Sequence, residues 1–173
     1  MVSPGNPLKV GRDMASFATR LATARHLADG RRIVATDLEA RLGTRYTVDT
    51  LARLRARFPH VRFVWLMGAD GLVTLPRWKH WHQLVRQVPV AVFPRPGQNV
   101  RALGGCAAQY LARWRVPARQ AARLAAFSPP AWAFLPGAQN SISATAIRQR
   151  GGFDATTDHS TTPLSSQFSG ERS

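Results

Sequence analysis

Short apolar runs alternate with stretches of helical periodicity along this chain. Val61–Met67 reads Val-Arg-Phe-Val-Trp-Leu-Met, Val88–Phe93 reads Val-Pro-Val-Ala-Val-Phe, and Ala131–Leu135 reads Ala-Trp-Ala-Phe-Leu. Each is bounded by turn residues, so each predicts a strand. Arg32–Leu38 predicts another. The Val61–Met67 run lacks strict alternation, which predicts burial on both faces, as in a parallel sheet.

Between the strands, apolar residues recur at helical spacing. Met14, Phe17, Leu21, Ala24 and Leu27 predict a helix over 13–28, stopped by Asp29-Gly30. Leu51, Leu54 and Phe58 predict a helix capped by Thr47, with Asp49 favourably placed in its first turn. Leu72, Leu75, Trp78, Trp81, Leu84 and Val85 predict a helical stretch. Cys106–Trp114, Ala118–Ala126 and the residues from Ser143 to about Gly151 predict three more. Alternating strands and helices predict an α/β fold on a parallel sheet. From Asp154 onward Ser and Thr dominate, so 153–173 predicts a disordered tail behind a domain over 1–152.

Composition narrows the setting. The chain has 173 residues, enough for one domain with a real core. No apolar run is long enough to span a bilayer, and the first residues lack the build of a signal peptide. Cys106 is the only cysteine, which excludes an intrachain disulfide and a multi-cysteine metal site. A cytoplasmic protein is expected, with no membrane partner. The net charge is +15, carried almost wholly by arginine, because Lys9 and Lys79 are the only lysines. Such a charge suits nucleic acid. The arginines are scattered, however, so solvated helix faces are the better reading and no nucleic-acid partner is expected.

In parallel sheets ligands bind beyond the carboxyl ends of the strands. Three features fall there: Gly68-Ala69-Asp70, Arg95-Pro96-Gly97 and the start of the Ser143 helix. A helix start offers unpaired N–H groups and partial positive charge to a phosphate, and Ser143, Thr145 and Arg148 could complete a cradle. Taken alone, that stretch fits an ordinary helix cap better. Gly68 allows close backbone approach, and Asp70 could accept from ribose hydroxyls or simply cap a helix. Trp81 reads as a core residue. Trp78, just after Pro76, suits either the core or stacking on an electron-poor ring. His26, His60, His80, His82 and His159 form no metal-ligand pattern, and no acid, base or nucleophile stands out.

With these residues placed, the chain resembles the bacterial nicotinate-nucleotide adenylyltransferases over Met1 to about Arg150. The resemblance is carried by Ser3-Pro4-Gly5-Asn6-Pro7-Leu8-Lys9, Gly43-Thr44-Arg45-Tyr46-Thr47-Val48-Asp49-Thr50-Leu51, Trp65-Leu66-Met67-Gly68-Ala69-Asp70, Pro76-Arg77-Trp78, Arg95-Pro96-Gly97 and Ile142-Ser143-Ala144-Thr145-Ala146-Ile147-Arg148. Their joint order is specific where each alone is weak. The resemblance implies a Rossmann-like, doubly wound parallel sheet. It also implies transfer of AMP from ATP to nicotinate mononucleotide, giving deamido-NAD and pyrophosphate with Mg2+ assisting. Matched by motif, Gly68, Asp70, Ser143, Thr145 and Arg148 would bind ATP. Lys9, Thr47 and Trp78 would bind nicotinate mononucleotide, Trp78 by stacking and Thr47 with nearby N–H groups at the carboxylate.

Two departures accompany it. Ala144 stands where the family usually has a second serine. The family's opening strand–helix–strand unit, with its His-x-Gly-His motif, is not in the 173 residues. The expectation is therefore no catalytic residue within the chain and no pyrophosphate release from it alone. The other readings are a nucleotide-binding remnant without activity and an arginine-rich nucleic-acid-binding protein.

Overall fold

The computed structural model describes residues 1–5 and 15–137. Lys9, Ser143, Thr145, Arg148, the helix expected after Ser143 and the Ser/Thr-rich segment lie outside the described residues.

Helix α1 spans Phe17–Leu27. The Ser16 hydroxyl caps it, accepting the Thr19 N–H at 3.1 Å. The strand expected over Arg32–Leu38 does not form. One carboxylate oxygen of Asp29 accepts the backbone N–H groups of Arg31, Arg32 and Ile33 at 2.9, 2.8 and 2.7 Å. Those donors are spent in a turn and cannot enter a ladder. They also hold the Asp29 carboxyl below its ordinary range, the Ile33 N–H most strongly. Ile33 and Val34 stay exposed, at 65% and 57%. The chain then enters α2, Leu38–Arg41.

Helix α3 spans Thr47–Arg57 and buries Val48, Leu51 and Leu54. Its cap is Tyr46, and Thr47, expected in that role, is its first helical residue. The Tyr46 backbone is extended, and its carbonyl accepts the Asp49 and Thr50 N–H groups, both at 3.0 Å. The side-chain tie comes instead from Thr50, whose hydroxyl reaches the Tyr46 carbonyl at 3.1 Å and the Thr44 hydroxyl at 2.7 Å.

Three strands follow in chain order: β1, Trp65–Gly68; β2, Val90–Phe93; and β3, Trp132–Phe134. They pair in parallel in the order β1-β2-β3. Trp65, Val90 and Trp132 share one register level, and Met67, Val92 and Phe134 another, so all six point to one face. That face carries the larger core. Ala91 and Ala133 point to the other, under Leu124 and Val116. Leu66 belongs to that second face but is 59% exposed. Burial on both faces thus holds for the middle strand β2 through Val92, not for β1.

The periodic stretch over 72–85 breaks into α4, Ala69–Thr74, a 3-10 turn, Leu75–Arg77, and α5, Trp81–Gln87. Pro76 has no N–H with which to continue an α-helix. Trp78 is extended, and His80 turns the chain in the left-handed region, φ 49° and ψ 39°. The break separates the two tryptophans. Trp81 enters the core, while Trp78 is only partly buried against it.

The return from β2 to β3 runs through α6, Asn99–Leu103, and α7, Cys106–Tyr110, with Gly104-Gly105 between them. The helix expected over Cys106–Trp114 is shorter, closing in a 3-10 turn at Ala112–Trp114, and Ala118–Ala126 is 3-10 throughout. The fully buried Trp132 donates its Nε1–H to the Leu111 carbonyl at 2.8 Å, satisfying the one polar atom of its ring. Among the described residues no helix is long and apolar enough to cross a membrane.

Candidate functional site

A cavity of about 230 Å³ opens where α2, the start of α3, β1 and the Trp78 break meet. Its walls include Glu39, Tyr46, Thr47, Trp65, Trp78 and Lys79. A cavity of roughly 150 Å³ takes benzene, so this one has room for a substituted six-membered ring. A second hollow, lined by Arg62, Val88, Pro89 and Ser128, sits at the amino ends of the strands.

Each wall has a local cause. Trp65 points to the helix-covered face because it shares the register level of Val90. The left-handed turn at His80 frees Trp78 from the helix. The two indoles meet edge to face, with centroids 6.3 Å apart and planes at 84°. The Trp65 Nε1 is buried with no hydrogen-bond partner among the described residues. Thr47 stands at the start of an eleven-residue helix. Its backbone N–H and that of Val48 make no backbone hydrogen bond among the described residues. Unpaired amides at a helix start suit a carboxylate.

The mouth is basic. The Lys79 ammonium lies 4.3 Å from the Tyr46 ring centroid and 3.5 Å from a carboxylate oxygen of Asp49. This joins the α3 loop to the Trp78 segment. Both partners are nearly half exposed, so the ion pair contributes at most about 1 kcal/mol, and its use is in placing charge. Arg45 and Arg77 add two more exposed cations.

A separate subsite lies at the carboxyl end of β1. There the Arg95 Nε stands 3.7 Å from the Asp70 Oδ1, with both side chains more than half exposed. A Cβ at Gly68 would collide with the Asp70 carboxylate and lie 2.9 Å from the Arg95 Nε. Glycine at 68 is what lets these two meet.

The structure thus brings Thr47 and Trp78 into one cavity and sets Gly68 with Asp70 at the strand end. Arg77 and Lys79, the basic neighbours that the sequence sets around Trp78, line the first site, and Glu39, Arg45, Tyr46 and Trp65 join it without having been assigned to it from sequence. Trp65 carried a usable signal, since it alternates with Met67 toward one face. Glu39 carried none, because it falls between the strand expected over Arg32–Leu38 and the loop after it, with no motif of its own. Among the described residues no group of three or more His, Cys, Asp or Glu side chains could hold a metal ion.

Residues 1–150 match the cytidylyltransferase-like family. The chain belongs to that family. As a cytidylyltransferase-like protein it has close curated relatives. One from Gluconobacter oxydans, described as a probable nicotinate-nucleotide adenylyltransferase, is 57% identical over 158 residues, covering 91% of this chain and 81% of the relative. One from Gluconacetobacter diazotrophicus with the same description is 62% identical over 148 residues, 86% of this chain and 69% of the relative. A third, from Parvibaculum lavamentivorans, is 54% identical over 153 residues, 88% and 76%. The three-stranded parallel sheet agrees with the Rossmann-like expectation for such a protein.

Proposed function

We propose that this chain is a nicotinate-nucleotide adenylyltransferase, in which the Trp78 cavity takes the pyridine ring of nicotinate mononucleotide. The observation that carries the reading is the ring-sized cavity that pairs a tryptophan edge-to-face with Trp65 and a helix start at Thr47. The indole of Trp78 stacks on an electron-poor ring. The α3 amides and the Thr47 hydroxyl receive the ring carboxylate, which favours nicotinate over nicotinamide. Arg45, Arg77 and Lys79 draw the anionic nucleotide to the mouth. Lys9, in the segment preceding α1, belongs to the same mononucleotide side.

ATP falls to the strand-end subsite. Gly68 lets adenosine approach the backbone, and Asp70, oriented by Arg95, accepts from it. By motif match alone, Ser143, Thr145 and Arg148 are assigned to the ATP phosphates. Magnesium enters with ATP as part of the substrate, bound by phosphate oxygens and water, an arrangement that asks for no protein cage. A phosphate oxygen of nicotinate mononucleotide attacks the α-phosphorus of ATP. The new P–O bond forms as the bond to the β-phosphate bridging oxygen breaks, and that electron pair leaves with pyrophosphate. The residues act by alignment and charge, since no group on the chain forms a bond to substrate.

The test is calorimetric titration of the chain with nicotinate mononucleotide and with MgATP, followed by a pyrophosphate-release assay. Saturable, mutually compatible binding of both is expected, with pyrophosphate release; binding of both without release would mean a nucleotide-binding remnant without activity. Failure to bind nicotinate mononucleotide would overturn the reading. Binding of single-stranded nucleic acid that weakens steeply with salt, with no mononucleotide binding, would point instead to a basic nucleic-acid-binding protein.

A further inference from the structure

Glu39 is a carboxylate in an unusual place. It is only 6% exposed, yet it lies in the wall of the ring cavity with Tyr46, Trp65 and Trp78. Burial pushes its pKa up, while the Ser3 hydroxyl and the positive charge of the amino terminus, which lines the same cavity at Met1, work against that. Buried carboxylates ordinarily pair with a cation. Among the described residues the ion pairs are Arg41 with Asp37, Lys79 with Asp49 and Arg95 with Asp70, and none includes Glu39.

The cavity therefore has two electrostatic zones. Negative charge sits in the buried wall. Positive charge, from Arg45, Arg77 and Lys79, sits on exposed side chains. A ligand complementary to both has a cationic ring and anionic substituents. A nucleotide whose pyridine nitrogen is bonded to ribose has that form, because the ring is a pyridinium. The Trp78 face adds attraction of the same sign, since an aromatic face favours a cation.

We propose that Glu39 recognises the positive charge of the bound ring, making the cavity selective for pyridinium nucleotides over neutral-ring analogues. This rests on the ring-binding reading above and extends it to the ring's charge. No side-chain cation among the described residues pairs with this carboxylate, and the ring of the substrate supplies one.

The test compares nicotinate mononucleotide with its 1,4-dihydro form, which keeps the carboxylate, ribose and phosphate but has a neutral ring. The wild-type chain is expected to bind the pyridinium form about tenfold more tightly. In Glu39→Gln that ratio falls several-fold, mainly through weaker binding of the pyridinium form, and what preference is left is the part the Trp78 face supplies. Glu39→Asp, which keeps the charge, retains part of the preference. An unchanged ratio in Glu39→Gln overturns the proposal. Equal binding of both forms by the wild type overturns it too, without need of any variant, and leaves the ring-binding reading standing. Binding of neither form overturns both.

Discussion

Trp65 and Trp78 meet edge to face with their centroids 6.3 Å apart. One comes from a strand and the other from a broken helix, so the contact ties the cavity floor to the sheet. Such a pair adds roughly 0.5–1.5 kcal/mol beyond the area it buries. Trp78→Ala should therefore lower nicotinate mononucleotide affinity by about 10- to 100-fold, the cost of losing one stacked ring. Trp65→Leu should lower it several-fold with Trp78 intact, and Trp65→Phe should recover most of that loss. Titration of the two single variants and the double variant measures the coupling. Strict additivity would mean that Trp65 does not position Trp78.

Gly68→Ala separates the two subsites. The new methyl displaces the Asp70 carboxylate and the Arg95 guanidinium, both of them ends of exposed, flexible side chains. Stability should change by no more than about 1 kcal/mol. MgATP affinity should fall about tenfold or more, while nicotinate mononucleotide affinity stays as it was. A loss of both affinities, or of neither, would remove Gly68 from the ATP side.

Glu39 predicts a pH-dependent trade between stability and binding. Its folded pKa is raised by burial, so the folded state holds the proton more tightly than the unfolded chain does. The stability it contributes is full below the ordinary glutamate pKa, about 4.3. That stability is lost as pH rises through the raised value. Glu39→Gln cannot ionise and escapes the loss. Its melting temperature should exceed that of the wild type at neutral pH, and the gap should close as pH is lowered toward about 4. A gap of the same size at every pH would show that burial of the charge is not its source.

His80 sits in the left-handed region without being glycine. That conformation costs an L-residue about 1–2 kcal/mol. Glycine would remove the strain but add roughly 0.4–1 kcal/mol of unfolded-state entropy. His80→Gly should therefore stabilise the chain by about 0.5 kcal/mol in a urea titration, with ligand affinity unchanged. Destabilisation would mean that the His80 side chain contributes more than its backbone costs.

The sequence by itself determined the sheet and the family. The runs ending in Met67, Phe93 and Leu135 read as strands because a buried parallel strand needs little more than a short apolar stretch between turns. Helix α3 was legible from Leu51 and Leu54, and Trp81 from its place in the apolar stripe. These are local signals, carried by a few adjacent side chains. The ordered motifs from Ser3 to Arg148 pointed to the family before any contact was known.

Tertiary structure decided the rest. Arg32–Leu38 has the composition of a strand, yet Asp29 takes three of the nearby amides and the chain turns. The stripe from Leu72 to Val85 has one period, yet Pro76 and the turn at His80 divide it, sending Trp81 to the core and Trp78 to the cavity. Thr47 and Trp78 could be named from motifs, whereas Glu39 and Trp65 could not be joined to them. Burial and edge-to-face contact are properties of residues far apart in the chain, and they exist only once the sheet, α2 and α3 have closed around one space.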